Sequence, residues 1–256
     1  MNLRERAKSW RTLHSSYKFI RDGRSVSFRE WLDAARSLAV FKALPNTMCP
    51  VRRLLDAYDA VSLLNQQQVP GDIVECGVWN GGCVGVLAMA HKRTAGPERR
   101  IHLFDSFEGL PPPSPEDDQK FKDFLRSNPG TEGDAARQAT GACVGLNEDR
   151  VEQFLTGYLK LNRELFVFHV GWFQDTIPKC DIDAIALLRI DGDWYDSTKT
   201  CLEGLYDRVV SSGIVIIDDF GRFSGCRKAV VEFFESRNCE PLLHSSDESC
   251  VYFIKP

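Results

Sequence analysis

Two apolar stretches of this chain end in paired aspartates. "LLRIDGDWYDST", residues 187–198, sets Asp191 and Asp193 around one glycine, and "GIVIIDDFG", residues 213–221, carries Asp218 and Asp219. Between them, "DSTKTCLEGLYDRVV" has a helical pattern, so the two stretches read as the strands of one βαβ unit. Such strands are parallel and often neighbours. Their carboxyl ends then lie on one edge of a sheet, where open α/β folds bind ligands. The pattern predicts a mostly parallel sheet with Asp191 close to Asp218 and Asp219.

Carboxylates so placed repel one another unless protonated or neutralised. A hard divalent cation with oxygen ligands answers that need, and Mg²⁺ is the usual choice where few protein carboxylates are offered. A competing reading is structural. Arg189 lies two residues before Asp191 and shares its face of an extended strand, so it could pair with one carboxylate. Asp218 and Asp219 would point to opposite faces of a strand, and both reach one metal only if the chain is turning there. Asp191 and Asp193 would share a face if the strand persists, with one free to hold a metal and the other to take a proton. Alternatively, Asp193 caps the helix that starts near Asp196.

Strand and helix alternate from residue 73 onward, which indicates helices on both faces of the sheet. Residues 1–70 read mostly as helices, broken near "LPNTMCP", and form an N-terminal helical extension. Residues 71–256 form the α/β domain. Residues 109–147 are rich in Pro, Gly, Asp and Ser with little periodicity, and are expected to be a lid. A hydrophobic fraction of 43% with 27% charged residues describes a soluble globular protein. The net charge of -4 argues against a general nucleic-acid partner. No stretch approaches a membrane span. The basic start is not followed by an apolar run, so no signal peptide is expected and a cytoplasmic location is. The nine cysteines have irregular spacings and no Cys-x-x-Cys, which indicates reduced thiols. The five histidines form no zinc pattern.

"VECGVWNGG", residues 74–82, closes the first strand and opens a helix. Gly77, Gly81 and Gly82 let backbone come close to a ligand or to a neighbouring chain segment. The spacing is neither a dinucleotide fingerprint nor a P-loop. Glu75 lies inside this strand, and Asp105 ends the next one, in "HLFDSFEG". An acid at that place grips two ribose hydroxyls in such folds, which suits any adenosine ligand, S-adenosylmethionine included.

In order, "NTM", "VPGDIVECGVWNGG", "LFDSFEGLP", "GWFQDTIP", "LLRIDGDWYDST", "GIVIIDDFG" and "GCRKAVVEFF" resemble the macrocin O-methyltransferase (TylF-like) family, over residues 46 to 236. The resemblance implies a class I methyltransferase (Rossmann-like) fold, S-adenosylmethionine and Mg²⁺. It implies Asp191, Asp218 and Asp219 as metal ligands and Asp193 as general base. For the cofactor it implies Thr47, Met48, Glu75, Gly77, Val78, Trp79, Gly81, Gly82, Asp105, Ser106 and Asp175. The expected acceptor is a small hydroxylated molecule, a glycosylated natural product, and a homo-oligomer is expected. A catechol-type methyltransferase and a non-catalytic scaffold are the alternatives. The chain departs from the family at Asn80, where arginine is common, and over residues 145–166.

Overall fold

The structure, a computed structural model, describes residues 27, 31–119, 122 and 143–256. The first α-helix among the described residues, α1 (Ala34–Ala43), starts at Asp33, whose side chain accepts from the amides of Ala35 and Arg36. A 3-10 turn at Leu44–Asn46 and an extended Thr47 break the helical run where "LPNTMCP" predicts. Helix α2 (Val51–Gln66) follows Pro50 and buries Leu54, Leu55, Tyr58 and Val61 on one face.

The remaining α-helices and strands among the described residues are β1 (Asp72–Cys76), α3 (Gly82–Arg93), β2 (Ile101–Asp105), α4 (Glu148–Glu152), β3 (Phe166–Val170), α5 (Phe173–Thr176), β4 (Ile185–Ile190), α6 (Tyr195–Leu205), β5 (Val209–Ile217), α7 (Ser224–Ser236), β6 (His244–Ser245) and β7 (Val251–Ile254). Helix α4 runs on as a π-helical segment over Gln153–Tyr158. The sheet order is β3-β2-β1-β4-β5-β7-β6. Strands β1 to β5 are parallel, whereas β7 runs antiparallel to β5 and to β6. The five-residue link between β6 and β7 forces that reversal, since a parallel neighbour needs a longer crossover.

Each face of the sheet buries its own apolar cluster. Ile73, Leu103, Leu187 and Ile216 face α1, α2 and α3. Val74, Phe104, Leu188 and Ile217 face α6 and α7. The alternation follows the two-residue period of a strand. The described part of the N-terminal extension shares a core with the sheet. The expected lid falls partly outside the described residues, at 120, 121 and 123–142, and residues 109–119 lie over the carboxyl edge of the sheet. The nine cysteines are free thiols. Among the described residues, no helix is long and apolar enough to cross a membrane.

A polar chain crosses three strands at the far side of the sheet. His102 Nε2 lies 3.1 Å from Asp72 Oδ2, and its Nδ1 lies 3.0 Å from His169 Nε2. Burial, then His102, pushes the His169 imidazole down to about 4. An unfolded histidine titrates near 6.5, so between pH 6.5 and 4 the unfolded chain binds the extra proton. Stability from this site is complete above that window and is lost as pH falls through it. His169→Gln, which keeps a donor for His102 without titrating, should flatten the fall of Tm across the window. Parallel Tm-versus-pH curves for the two proteins would refute the assignment.

Candidate active site

The acid-bearing strands β4 and β5 are neighbours, with Ile190 beside Ile217. Strand β4 stops at Ile190, and Asp193 takes a left-handed backbone, φ 55°. The extended-strand argument for Asp191 and Asp193 therefore does not hold; a turn brings them together instead. After β5 the chain also turns at once, so Asp218 and Asp219 separate. Carboxylate oxygens of Asp191, Asp193 and Asp219 lie within 4.8 Å of one another, and Asp191 forms a second such group with Asp218 and Cys49. Asp191 is common to both.

Arg189 does pair, as the structural reading expected. It is 2% exposed and reaches Glu75 Oε1 at 2.5 Å, Asp191 Oδ2 at 2.9 Å and Asp218 Oδ1 at 2.5 Å. Asp218 is held from its other oxygen by Arg53 of α2, at 2.5 Å, and Arg53 also pairs with Asp247 at 2.6 Å. Within the acid cluster, neither Asp193 nor Asp219 has a cation partner within 4 Å among the described residues. Asp219 Oδ2 is buried with no hydrogen-bond partner among the described residues. Burial, then the charge of Asp191, pushes the Asp193 carboxyl well up. Burial, then Asp193, does the same to Asp219. Glu75, wholly buried, is pushed up to about 7 by burial, against the pull of Arg189.

The glycine turn meets this cluster. Gly77 has φ 88°, and a Cβ there would lie 2.0 Å from the Asp191 carbonyl oxygen, so no other residue lets β1 and β4 end so close. Gly82 has no room for a Cβ either, because Asn46 O and Thr47 Cβ sit 2.5 and 2.6 Å from its position. That contact brings the "NTM" segment to the start of α3. Thr47 is buried and its hydroxyl accepts from the Cys49 amide. Asp105 Oδ2 accepts from the amides of Val78 and Trp79 at 2.7 and 2.8 Å, and Oδ1 accepts from Phe107 at 2.7 Å. The acid thus ties the glycine turn to the end of β2. Asn80, at the position of departure, binds both neighbours of the turn: its carbonyl accepts from Asn46 and its side chain from the Leu146 amide.

A cavity of about 550 Å³ opens on these residues. Met48, Gly77, Trp79, Asp105, Ser106, Asp191 and Asp193 line it. A smaller one of about 240 Å³ adjoins it and adds Thr47, Glu75, Val78, Asp218 and Asp219. Gly81 initiates α3 in a left-handed conformation beneath the turn. Asp175 is exposed and outside both linings, whereas Trp172 and Gln174 of the same stretch line the larger cavity. Arg53 and Asp247 carry no local motif, because their contacts span 165 and 194 residues of chain.

A 3-2-1-4-5-7-6 sheet with its cavity at the carboxyl edge, between a glycine turn and an acid-ended β2, defines a class I S-adenosylmethionine-dependent methyltransferase fold. Within that class the chain belongs to the macrocin-O-methyltransferase (TylF) family, whose model matches residues 34–255. It is an O-methyltransferase, as the family resemblance implied. It is 32% identical over 212 residues to demethyldecarbamoylnovobiocin O-methyltransferase of Streptomyces niveus, covering 81% of this chain and 75% of the relative. It is 28% identical over 230 residues to mycinamicin III 3''-O-methyltransferase of Micromonospora griseorubida, covering 86% and 83%. Among solved structures, the O-methyltransferase NovP superposes with a TM-score of 0.69 at 30% identity, covering 82% of each chain.

Proposed function

We propose that this enzyme methylates a sugar hydroxyl of a glycosylated natural product, with S-adenosylmethionine as donor and Mg²⁺ at the acid cluster. The observation that carries the reading is the pair of unneutralised carboxylates, Asp193 and Asp219, beside Asp191 at the mouth of the cavity. The donor set fits a hard cation: all oxygens, one of them buried without a partner. Asp191 and Asp219 would hold it, and it would lower the pKa of an acceptor hydroxyl; Asp218, the third ligand that the resemblance implies, groups with Asp191 but not with Asp219. Arg189 and Arg53 each hold one oxygen of Asp218 and so fix its orientation. Asp193 reaches into the larger cavity, which Asp218 and Asp219 do not, and this favours Asp193 as the proton acceptor. The glycine turn and Asp105 position the donor, so that oxygen, methyl carbon and sulfur align. The rhamnosyl group in the name of a relative from Streptomyces olivaceus, a tetracenomycin-C 4'-O-methyltransferase, supports a glycosylated acceptor. The free thiols support a cytoplasmic location. A homo-oligomer is tested by sedimentation.

The test is a panel of O-demethylated glycosides and catechols, assayed for transfer of labelled methyl. Turnover of glycosides with inert catechols is expected; the reverse would transfer the enzyme to the aromatic diols. Asp105→Ala should weaken S-adenosylmethionine by about 1.5–3 kcal/mol, the range for hydrogen bonds to a charged group. Titration calorimetry reads it, and unchanged affinity with the fold intact removes Asp105 from the site.

A further inference from the structure

One buried carboxylate stands apart from the acid cluster. Asp117 is 5% exposed and belongs to the proline-rich stretch after β2. Its Oδ1 accepts from the Tyr195 amide at 2.9 Å, at the start of α6. Its Oδ2 accepts from the Ser114 amide at 2.7 Å and the Ser114 hydroxyl at 3.0 Å. Asp118 accepts from the Ser224 amide at 3.0 Å, at the start of α7. Neighbouring acids thus receive the first amides of the two helices that follow the acid-bearing turns. Gly225 of α7 makes room for this: a Cβ there would lie 1.9 Å from Asp117 Oδ1 and 3.2 Å from the Tyr195 amide. The same stretch is tied again where Trp194 Nε1 donates to the Pro111 carbonyl at 3.0 Å. Trp194 directly follows Asp193, and Leu110, Pro111, Pro112 and Ser114 wall the larger cavity.

We propose that Asp117 is a positioning residue for methyl transfer: it bonds the cavity wall at 110–118 to the N-terminus of α6 and packs on Gly225 at the N-terminus of α7, beside the Asp118 bond to Ser224, and so sets the spacing of the two acid-bearing turns. The lock is electrostatically apt, since helix N-termini favour a carboxylate. It works on residues that do not touch Asp117 in sequence: Asp193 is two positions before Tyr195, and Asp219 five before Ser224. Loosening it frees both turns and the wall together. An ordinary helix cap would matter to stability alone.

The inference rests on the cofactor reading of the cavity, so the probe is S-adenosylhomocysteine, measured by calorimetry on the full chain, with hydrogen exchange as a second readout. Asp117→Ala removes the lock. Gly225→Ala keeps the carboxylate but takes its seat, while improving local helix propensity. Both should raise the dissociation constant about tenfold or more, the size expected for losing a charged hydrogen bond. Both should also speed amide exchange at residues 191–197 and 218–224. Asp117→Asn keeps an acceptor for Tyr195 and should fall between these and the parent, and it is the variant to use if Asp117→Ala does not fold. Binding within twofold of the parent, or faster exchange confined to residues 111–118, overturns the proposal, even if Tm drops. A parent that does not bind S-adenosylhomocysteine overturns the cofactor reading instead, and the exchange experiment still decides the lock.

Discussion

Asp193→Asn is expected to lower kcat by about 10²–10⁴-fold, the usual contribution of a general base. Asparagine is the mildest probe here. It matches the shape of aspartate and tolerates the left-handed backbone that Asp193 adopts, so the turn should survive. The rival role for Asp193, capping α6, finds no support in the structure: the N-cap residue is Trp194, and the Tyr195 amide goes to Asp117. Loss of activity in this variant therefore reports chemistry rather than a frayed helix. Cofactor affinity and Tm should stay near the parent values. An acid is a weak base toward an alcohol, but a cation at Asp191 and Asp219 narrows the mismatch by acidifying the hydroxyl. The measurement is steady-state kinetics beside a thermal melt. A kcat within a few-fold of the parent would sink the base assignment.

Chelation should abolish turnover, and Mg²⁺ should restore it. Charge stabilisation by a metal is worth several kcal/mol, so a loss of at least about 10²-fold is expected in EDTA. The two neighbouring aspartates should then behave differently when neutralised. Asp218 is gripped by Arg189 and Arg53, both largely buried. Asp218→Asn breaks buried ion pairs, which costs about 3–5 kcal/mol, and the metal-free protein should melt earlier. Asp219 has an orphaned oxygen and faces two other acids. Asp219→Asn removes repulsion, so the metal-free protein should melt no earlier, or later, while its stabilisation by Mg²⁺ disappears. Melting curves with and without Mg²⁺ separate these outcomes. Full activity in excess EDTA, or a metal-free Asp219→Asn protein that is less stable than the parent, would refute the cation site.

Much of this centre is visible in local sequence. The apolar runs before Asp191 and Asp218 predict β4 and β5, and the helix between them makes those strands neighbours. Burial on both faces explains why "IALLRI" reads as continuous apolar sequence interrupted only by Arg189. That arginine was expected on the face of Asp191, and it is there. Period-two reasoning then fails at Asp193, three residues past the strand. It placed Asp193 by pleat geometry, but a left-handed turn places it, and φ at one aspartate is not encoded by alternation. The same limit applies to Asp218 and Asp219, adjacent in the chain yet serving different partners.

The layout is legible in the chain of residues: a parallel sheet, acids at its carboxyl edge, a glycine turn facing them and a family resemblance carried by their order. Those features rest on short-range rules, the strand period, turn chemistry and crossover handedness. Which acids are paired with a cation and which are left bare follows from packing between distant elements. Arg53 meets Asp218 across 165 residues, and Asp117 meets the Tyr195 amide across 78. Pairing at such separations depends on how whole elements pack, because burial makes an unpaired charge costly and selects whichever partner the packing brings within reach.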